Sequence, residues 1–383
     1  MVGRRVRTLA KLCLLTLPAF LVTALFLELV VFRSWVAVGD IPLEEYDPVS
    51  RIIHYSPGQH GTMFPDGDIH HPVPFAVNDD GWNSTHARYD KARNAKRRVA
   101  VIGDSYVAAF EVAPTESIAA RLEGALGAER AEVYAFGVRG APLSQYLHVA
   151  RYVAATYAPD AIVIVIVHND FDESYRSPAG RYTSAFLHVQ VSPEAKVLAE
   201  VPPEPYRESA LSIWARSRSA LLRFLLYRSQ VARQLVHTAY DGLFGVKVEY
   251  QANVDVAKLA SEDGMMRAAA RYVFDELVDL ERSTKIKIVL VMDAPRAPMY
   301  ERRDPRQAEA YQLNRIAAES AGAAGLSFTD LTDRFERDFR DHEERFEFPG
   351  DGHWNSRGHR IAAEAACEAL RASKTYDQIE CAK

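Results

Sequence analysis

The first residues in the chain that could do chemistry form a Gly-Asp-Ser tripeptide at the end of an apolar run. Gly103 closes the segment RRVAVIG (97–103), which predicts a buried strand, and is followed by Asp104 and Ser105. A hydroxyl on a tight turn at a strand end is exposed above the sheet, and the N–H groups that open the next helix can stabilise an anion. The tripeptide therefore offers a nucleophile, although a serine in this position can also simply cap a helix.

A base for this serine stands near the other end of the chain. Asp351-Gly352-His353 lies just before a predicted helix, in the segment DGHWNSRGHRIAAEA. His353 can accept the serine proton because an imidazole titrates near neutral pH. Asp351 can fix the ring tautomer and stabilise the imidazolium that forms. By itself, an Asp-x-His motif in a loop would favour a turn and a helix cap.

Two further motifs lie between these residues in the sequence. Residues 137–140 (GVRG) end a second predicted strand, and residues 168–170 (HND) end a third. The glycines permit close backbone approach, which leaves an N–H free to point at a reacting oxygen. We predict a three-donor oxyanion hole from the N–H of Ser105, the N–H of Gly140 and the side-chain amide of Asn169.

The elements that must position these residues alternate between strands and helices. Strands are predicted at 97–103, 131–138, 160–170, 285–293 and 326–331, and helices at 118–126, 143–157, 267–283, 306–324 and 356–373. This alternation predicts an α/β domain with one parallel sheet and helices on both faces. Ligands of such sheets bind at the carboxyl ends of the strands, where all the motifs above fall.

The order of these motifs resembles that of the SGNH (GDSL) hydrolase superfamily. The four residues that name the family map to Ser105, Gly140, Asn169 and His353. The resemblance implies a flavodoxin-like three-layer α/β/α fold and ester hydrolysis or acyl transfer through a serine acyl-enzyme. It covers residues 97–170 and 285–373 well and residues 171–265 poorly. The segment FAVNDDGW (75–82) is also similar to the lead-in of membrane-anchored bacterial members.

The chain departs from the family pattern at two places. The common spacing is Asp-x-x-His, whereas this chain has Asp351-x-His353, and His168 stands where many relatives have glycine or threonine. A similar Asp-x-His-Trp arrangement occurs, elsewhere in their chains, in SGNH-like enzymes that acetylate exported polysaccharides. This similarity favours a carbohydrate acyl substrate or transferase activity.

We therefore predict serine-dependent hydrolysis of an O-acyl or acetyl ester of an envelope glycan. The alternatives are O-acyl transfer to an exported polysaccharide, hydrolysis of a lipid ester, and a catalytically silent module that binds a glycan or a membrane partner. No cofactor or metal is predicted: no Walker loop or GxGxxG follows a predicted strand, and His70-His71 matches no zinc spacing. A net charge of -5 gives no basis for nucleic acid as a partner.

The N-terminal residues predict a membrane anchor. Residues 12–32 are almost wholly apolar, basic residues precede them and acidic residues follow them. A positive flank stays cytoplasmic, so the rest of the chain is expected outside. A cleavable signal peptide is the alternative, although its apolar region would be shorter. Glu28, near the outer end, is expected to reach the headgroups or to pair with Arg33.

The remaining organisation follows from these assignments. We expect a cytoplasmic basic segment at 1–11, the anchor at 12–32, an irregular lead-in at 33–95, the hydrolase-like domain at 96–375 and a tail at 376–383. The domain carries an insertion at about 171–265, with a hairpin strand at 181–191 and an arginine-rich amphipathic helix at 217–236. The insertion could be a lid, a substrate groove, a membrane-facing surface or only an elaborate crossover. Cys367 and Cys381 could pair or remain free thiols.

Overall fold

The computed structural model describes residues 16–34, 39–65, 70–175, 182–224, 250–252, 254–348, 351–373 and 381. The chain divides into two compact units. The helical unit takes in Met1–Ile41, Thr62–Pro72 and Ser209–Val246, and the sheet unit takes in Pro42–Gly61, Val73–Glu208 and Lys247–Lys383.

The described residues form strands and α-helices whose bounds are as follows. The strands are β1 (Glu44–Asp47), β2 (Ile52–Tyr55), β3 (His60–Met63), β4 (Val73–Ala76), β5 (Arg97–Gly103), β6 (Ala131–Gly137), β7 (Ala161–Ile166), β8 (His188–Val191), β9 (Val197–Val201), β10 (Tyr250–Gln251), β11 (Val254–Asp255), β12 (Lys287–Met292), β13 (Ser327–Asp330), β14 (Glu347–Phe348) and β15 (Asp351–Trp354). The helices are α1 (Thr16–Ser34, in which Leu27–Val31 is π-helical and Phe32–Ser34 is 3₁₀), α2 (Ser105–Ala108), α3 (Ile118–Leu126), α4 (Leu143–Tyr157), α5 (Asp170–Glu173), α6 (Ala210–Arg218), α7 (Ala220–Arg223), α8 (Val256–Thr284), α9 (Ala297–Tyr300), α10 (Tyr311–Ala324), α11 (Thr332–His342) and α12 (Ser356–Ala372).

The sheet unit is built on a five-stranded sheet with the order β13-β12-β7-β5-β6. Every neighbouring pair in this sheet is parallel. Numbered along the chain, the strand order is 2-1-3-4-5, which is the flavodoxin-like order of a doubly wound sheet. The predicted α/β fold with a central parallel sheet is confirmed.

Side chains of the central strand β7 explain the three layers. All six of its residues are buried, as expected of a strand covered on both faces. Ile162, Ile164 and Ile166 join a core formed with α4, α8 and α10. Val163 and Val165 point to the other face and join a core formed with α3 and α12. Alternation along one strand thus supplies both apolar layers.

Several predicted boundaries differ from the observed ones. The strand predicted at 160–170 ends at Ile166, and α5 begins at Asp170, so the HND motif lies in the turn beyond the strand. The helix predicted at 267–283 begins earlier, at Val256. The lead-in at 33–95 is less irregular than expected, because it contains β1 to β4. Apolar periodicity marks the buried middle of an element better than its ends.

The insertion differs most from its prediction. Only His188–Val191 of the segment 181–191 is a strand, and it pairs with β9, whereas Tyr182–Ala185 is a 3₁₀ turn. The continuous helix predicted at 217–236 is wrong at its start. The helix is interrupted at Ser219, where the backbone is extended. The Ser219 hydroxyl caps the next helix by accepting a hydrogen bond from the N–H of Leu222. Residues 225–249 lie outside the described residues.

Two other features of the sequence have structural outcomes. Cys367 and Cys381 are joined by a disulfide. Among the described residues, one helix, Thr16–Ser34, is long and apolar enough to be a membrane anchor or a signal sequence. The first four residues of the predicted anchor, 12–15, and the basic segment before them lie outside the described residues.

Candidate active site

The turn between β5 and α2 positions the serine. Asp104 caps α2 by accepting a hydrogen bond from the N–H of Tyr106, and Ser105 is the first residue of the helix. A Cβ on Gly137, in the neighbouring strand, would lie 2.1 Å from the backbone nitrogen of Ala108. Only glycine lets α2 approach the sheet this closely. Burial raises the pKa of the Asp104 carboxyl to about 6, even though the N–H of Tyr106 acts against it.

The structure brings the predicted base and its orienting acid to this serine. His353 Nε2 lies 2.8 Å from Ser105 Oγ, across 248 positions of sequence. His353 Nδ1 lies 2.5 Å from Asp351 Oδ1, and the backbone N–H of His353 donates to the same oxygen at 2.9 Å. Burial alone would raise the pKa of Asp351, but the hydrogen bonds and charge of His353 lower it. A hydroxyl, an imidazole and a carboxylate in this order can activate a nucleophile.

The short Asp-x-His spacing has a local explanation. Asp351 and His353 both lie on β15, which pairs with β14. Side chains two positions apart on a strand point to the same face. The carboxylate of Asp351 can therefore accept hydrogen bonds from both the backbone N–H and the ring of His353. The second intervening residue of the common Asp-x-x-His spacing is not needed.

A second carboxylate that the sequence reasoning missed faces the same histidine. Glu111 Oε1 lies 4.0 Å from His353 Nδ1, and its side chain is only 4% exposed. Arg139 Nη2 lies 3.5 Å from the same oxygen. Burial lowers the pKa of His353, but the charges of Glu111, Asp351 and Asp104 outweigh burial and raise it to about 9. An acid inside the apolar run VAAFEV (107–112) was the available sequence signal.

The three acidic and imidazole groups are also close enough to hold a cation. The possible ligand atoms of Glu111, Asp351 and His353 all lie within 4.8 Å of one another. However, His353 Nδ1 already shares a hydrogen bond with Asp351, so a metal would have to displace the contact that orients the base. This arrangement favours an acid-base role over a metal site.

The predicted oxyanion donors lie after neighbouring strands. Ser105 follows β5, Gly140 follows β6, and Asn169 follows β7. Gly140 has a φ of 66°, a conformation that glycine adopts without strain. The amide of Asn169 donates to Glu173 Oε2 at 3.2 Å. Asp170 accepts from the N–H of Val167 and so orders this turn, as its place beside Asn169 suggested.

Hydrogen bonds around the carbonyl of Gly352 connect strand β15, which carries His353, to helix α2, which carries Ser105. Arg296 Nη2 donates to this carbonyl at 2.7 Å and to the Tyr106 hydroxyl at 3.0 Å. The Tyr106 hydroxyl itself donates to the carbonyl at 2.7 Å. Tyr106 follows Ser105, and Gly352 lies between Asp351 and His353. These hydrogen bonds therefore hold Ser105 and His353 in position relative to each other. Arg296 belongs to no sequence motif, so its role could not be predicted.

Two family models match the chain over adjoining regions. A GDSL-like lipase/acylhydrolase model matches residues 99–240 and so includes Ser105, Gly140 and Asn169. A model of the SGNH hydrolase-like domain of the acetyltransferase AlgX matches residues 255–383 and so includes Asp351 and His353. Over both regions, the chain therefore matches the SGNH/GDSL hydrolase superfamily. The chain is accordingly an enzyme of the esterase, acyl hydrolase or acyltransferase type.

Solved structures of SGNH and related hydrolases resemble the chain. LAE5, an alpha/beta hydrolase from the metagenome of Lake Arreo, is 15% identical, with 73% of this chain and 97% of that one covered and a TM-score of 0.38. The acetyl xylan esterase AlAXEase is 12% identical, with 71% and 99% covered and a TM-score of 0.38. A lipase/acylhydrolase from Enterococcus faecalis is 12% identical, with 75% and 99% covered and a TM-score of 0.38. No curated protein matches the chain.

Other residues near the SGNH motifs have structural roles. Trp354 is fully buried and its Nε1 donates to Asp293 Oδ1 at 2.9 Å, so it packs instead of flanking a substrate. His168 is buried and its Nε2 lies 2.9 Å from Asn314 Oδ1. His359 is buried, which lowers its pKa to about 3. Asn355 caps α12, because its side chain accepts hydrogen bonds from the N–H groups of Arg357 and Gly358.

A cavity of about 500 Å³ adjoins the SGNH site at Gly352. Its polar lining consists of Arg296, Arg303, Gln307, Glu309 and Glu347. Its apolar lining is formed by alanines and prolines. This size lies within the range of small-molecule sites, and the wall offers both hydrogen-bond donors and acceptors.

Proposed function

We propose that the chain hydrolyses an ester through a covalent serine intermediate, with Ser105, His353 and Asp351 as the catalytic triad. The observation that carries the proposal is the continuous hydrogen-bonded series from Ser105 Oγ through the two ring nitrogens of His353 to Asp351 Oδ1. Its members come from distant parts of the sequence and meet at the carboxyl edge of the sheet, where this fold binds ligands.

The proposed reaction has two steps. Ser105 Oγ attacks the ester carbonyl while His353 Nε2 takes the hydroxyl proton, and Asp351 stabilises the imidazolium. The N–H groups of Ser105 and Gly140 and the amide of Asn169 would hold the oxyanion. His353 then gives its proton to the departing alcohol, leaving an acyl-serine. Water, which gives a proton to the same histidine, then attacks the acyl-serine. His353 returns that proton to Ser105 Oγ as the acid leaves, which restores the serine hydroxyl.

The substrate we infer is an acetyl or other O-acyl ester of an envelope glycan. The charged and amide side chains that line the cavity beside Gly352 can form hydrogen bonds with a hydroxyl-rich group. The match of residues 255–383 to a domain named for an acetyltransferase supports an acetyl group. We further propose that α1 is an uncleaved anchor and that the site lies outside the cytoplasm, because basic residues precede the helix.

Acyl transfer is the second candidate, and the match to the AlgX domain favours it specifically. The two activities share every residue named above. In the transferase, a sugar hydroxyl replaces water, loses its proton to His353 and takes the acyl group from Ser105. The exclusion of water from the acyl-enzyme would then decide the outcome.

The proposal is tested with the full-length protein and its Ser105→Ala variant. Both are assayed for acetate release from an O-acetylated polysaccharide and for fatty-acid release from a lysophospholipid. We expect acetate release that the variant lacks. Transfer of the acetyl group to an added acceptor polysaccharide, without release of free acetate, would instead identify a transferase. Fatty-acid release alone would replace the glycan with a lipid substrate.

A further inference from the structure

The apolar helix α1 carries one carboxylate, Glu28, and both of its oxygens accept hydrogen bonds. Glu28 accepts hydrogen bonds from the hydroxyl of Ser219 at 2.9 Å, the N–H of Ala220 at 2.8 Å and the N–H of Leu221 at 2.9 Å. Its side chain is only 18% exposed. These donors belong to the break between α6 and α7, so one side chain of α1 holds the start of α7.

The rest of α1 presents apolar side chains outward. Eight of its large apolar residues are more than half exposed, among them Phe20 at 68% and Val22 at 67%. Such a surface is suited to lipid. Glu28 precedes the end of α1 at Ser34 by six positions, which belong to the π-helical and 3₁₀ segments that close the helix. If α1 spans the bilayer, Glu28 lies below the headgroups, where an ionisable side chain needs a partner.

The depth of Glu28 sets the depth of its donors. Ser219, Ala220 and Leu221 lie within hydrogen-bond distance of the carboxylate. They must therefore lie at the same level of the bilayer as Glu28. Non-helical backbone is tolerated there only when its polar groups are satisfied, and the carboxylate satisfies two N–H groups.

Further contacts hold the same segment to the C-terminal end of α1. Arg33 Nη2 donates to the carbonyl of Arg218 at 3.1 Å. The rings of Phe32 and Phe224 lie 4.6 Å apart. Meanwhile α6 directs Leu211 and Trp214 outward, 74% and 60% exposed. Tryptophan is enriched at membrane interfaces because its ring is both apolar and a hydrogen-bond donor.

We propose that residues 209–224 form a membrane-embedded element that lies in the leaflet containing the C-terminal end of α1, with Leu211 and Trp214 inserted among the lipids and Glu28 as its attachment. The partner of this surface is the bilayer itself. The inference rests on the proposed role of α1 as an uncleaved anchor. It makes the insertion a second point of membrane contact.

The test places a nitroxide on the full-length protein in vesicles of phosphatidylcholine and phosphatidylglycerol. Single cysteines replace Trp214, Val22 or Arg282 in a Cys13→Ser background, with Cys367 and Cys381 protected by their disulfide. Arg282, in α8 of the sheet unit, is the aqueous control, since its side chain is 73% exposed. Collision with oxygen, which concentrates in lipid, is compared with collision with a water-soluble nickel chelate.

We expect the label at 214 to favour oxygen as the label at 22 does, and the label at 282 to favour nickel. A label at 214 that behaves like that at 282, while position 22 still favours oxygen, overturns the inference and leaves the anchor intact. A label at 22 that favours nickel overturns the anchor and the inference together.

A second variant tests the attachment. Glu28→Leu should abolish the oxygen preference at 214 while leaving that at 22 unchanged, because α1 would remain inserted and the segment would lose its acceptor. Glu28→Gln, which keeps an acceptor oxygen, should retain part of the preference. An unchanged label at 214 in Glu28→Leu would overturn the role of Glu28 as the attachment.

Discussion

The carboxyl edge of the sheet and the end of α1 both join residues far apart in sequence, but they do so by different means. Ser105 and His353 are 248 positions apart, and each is carried by a regular element packed on an apolar core. Glu28 and Ser219 are 191 positions apart, and their contact is made at a break between two short helices. At the first place the core positions the polar groups. At the second the polar groups position the chain.

This difference predicts different responses to substitution. Removing a catalytic side chain from the sheet edge leaves the apolar core in place, so function should fall while the fold persists. Removing Glu28 leaves three donors without their acceptor, so the segment around Ser219 should lose its contact with α1 while catalysis persists. The predictions below test the first half of this contrast.

The largest effect is expected from the nucleophile and the base. Ser105→Ala and His353→Ala should each lower kcat by about 10⁴-fold or more, and the double variant should lose little beyond either, because the two groups act as a unit. Steady-state kinetics on the three variants measures this. Ser192→Ala, which changes an exposed turn in the insertion, is the control and should retain full activity. Additive losses would contradict a shared step.

The oxyanion donor comes next. Asn169→Ala should lower kcat by about 10²–10³-fold with little change in KM, since the amide stabilises charge that develops only in the transition state. Glu173→Gln keeps Asn169 and changes only the group to which its amide donates, so it should cost much less. Equal losses in both variants would indicate that Asn169 acts through the order of its turn.

Disrupting the hydrogen bonds around Gly352 should have a smaller, positional effect. Arg296→Met removes a donor to the Gly352 carbonyl and to the Tyr106 hydroxyl, so the base strand and the nucleophile should lose alignment, with kcat reduced up to about 10²-fold. Tyr106→Phe leaves the bond from Arg296 to Gly352 in place and should cost less. A purely structural role would lower the melting temperature of Arg296→Met without changing kcat at low temperature.

The smallest effect is a shift in pH dependence. His353 must be neutral to accept a proton, and its pKa is raised to about 9, so kcat/KM should rise with pH through this region. Glu111→Gln removes one of the charges that favour the imidazolium, so the pKa falls and the rise moves to lower pH. Glu116→Gln, at a partly exposed position, is the control. A profile of Glu111→Gln identical to that of the unmodified enzyme would show that Glu111 does not act on the base.

Much of the catalytic edge could be predicted from the sequence because its residues adjoin strongly patterned elements. The run AIVIVI and the glycines at 103 and 137 indicate where strands lie, and Ser105 and Asn169 stand in the turns that follow two of these strands. His353 was predictable because it stands just before a well-formed helix. The disulfide remained open in the sequence because cysteine spacing alone does not show whether two thiols meet.

Groups defined by tertiary contact could not be predicted in this way. Glu111 and Arg296 face His353 and Gly352 only after the sheet has assembled, and neither belongs to a periodic pattern. The indole of Trp354 donates to Asp293, a buried acceptor 61 positions away that the local sequence does not reveal. The break at Ser219 depends on a carboxylate 191 positions away, so the local amphipathic pattern predicted a continuous helix.

A fluorophosphonate probe, which reacts with activated serines, tests whether Ser105 is a nucleophile. The full-length protein is treated in detergent and the modified residue is located by mass spectrometry, beside Ser105→Ala and His353→Ala. We expect one adduct, on Ser105, and we expect the His353→Ala variant to form no adduct there. A folded protein that forms no adduct, or one that keeps the Ser105 adduct without His353, would contradict this expectation.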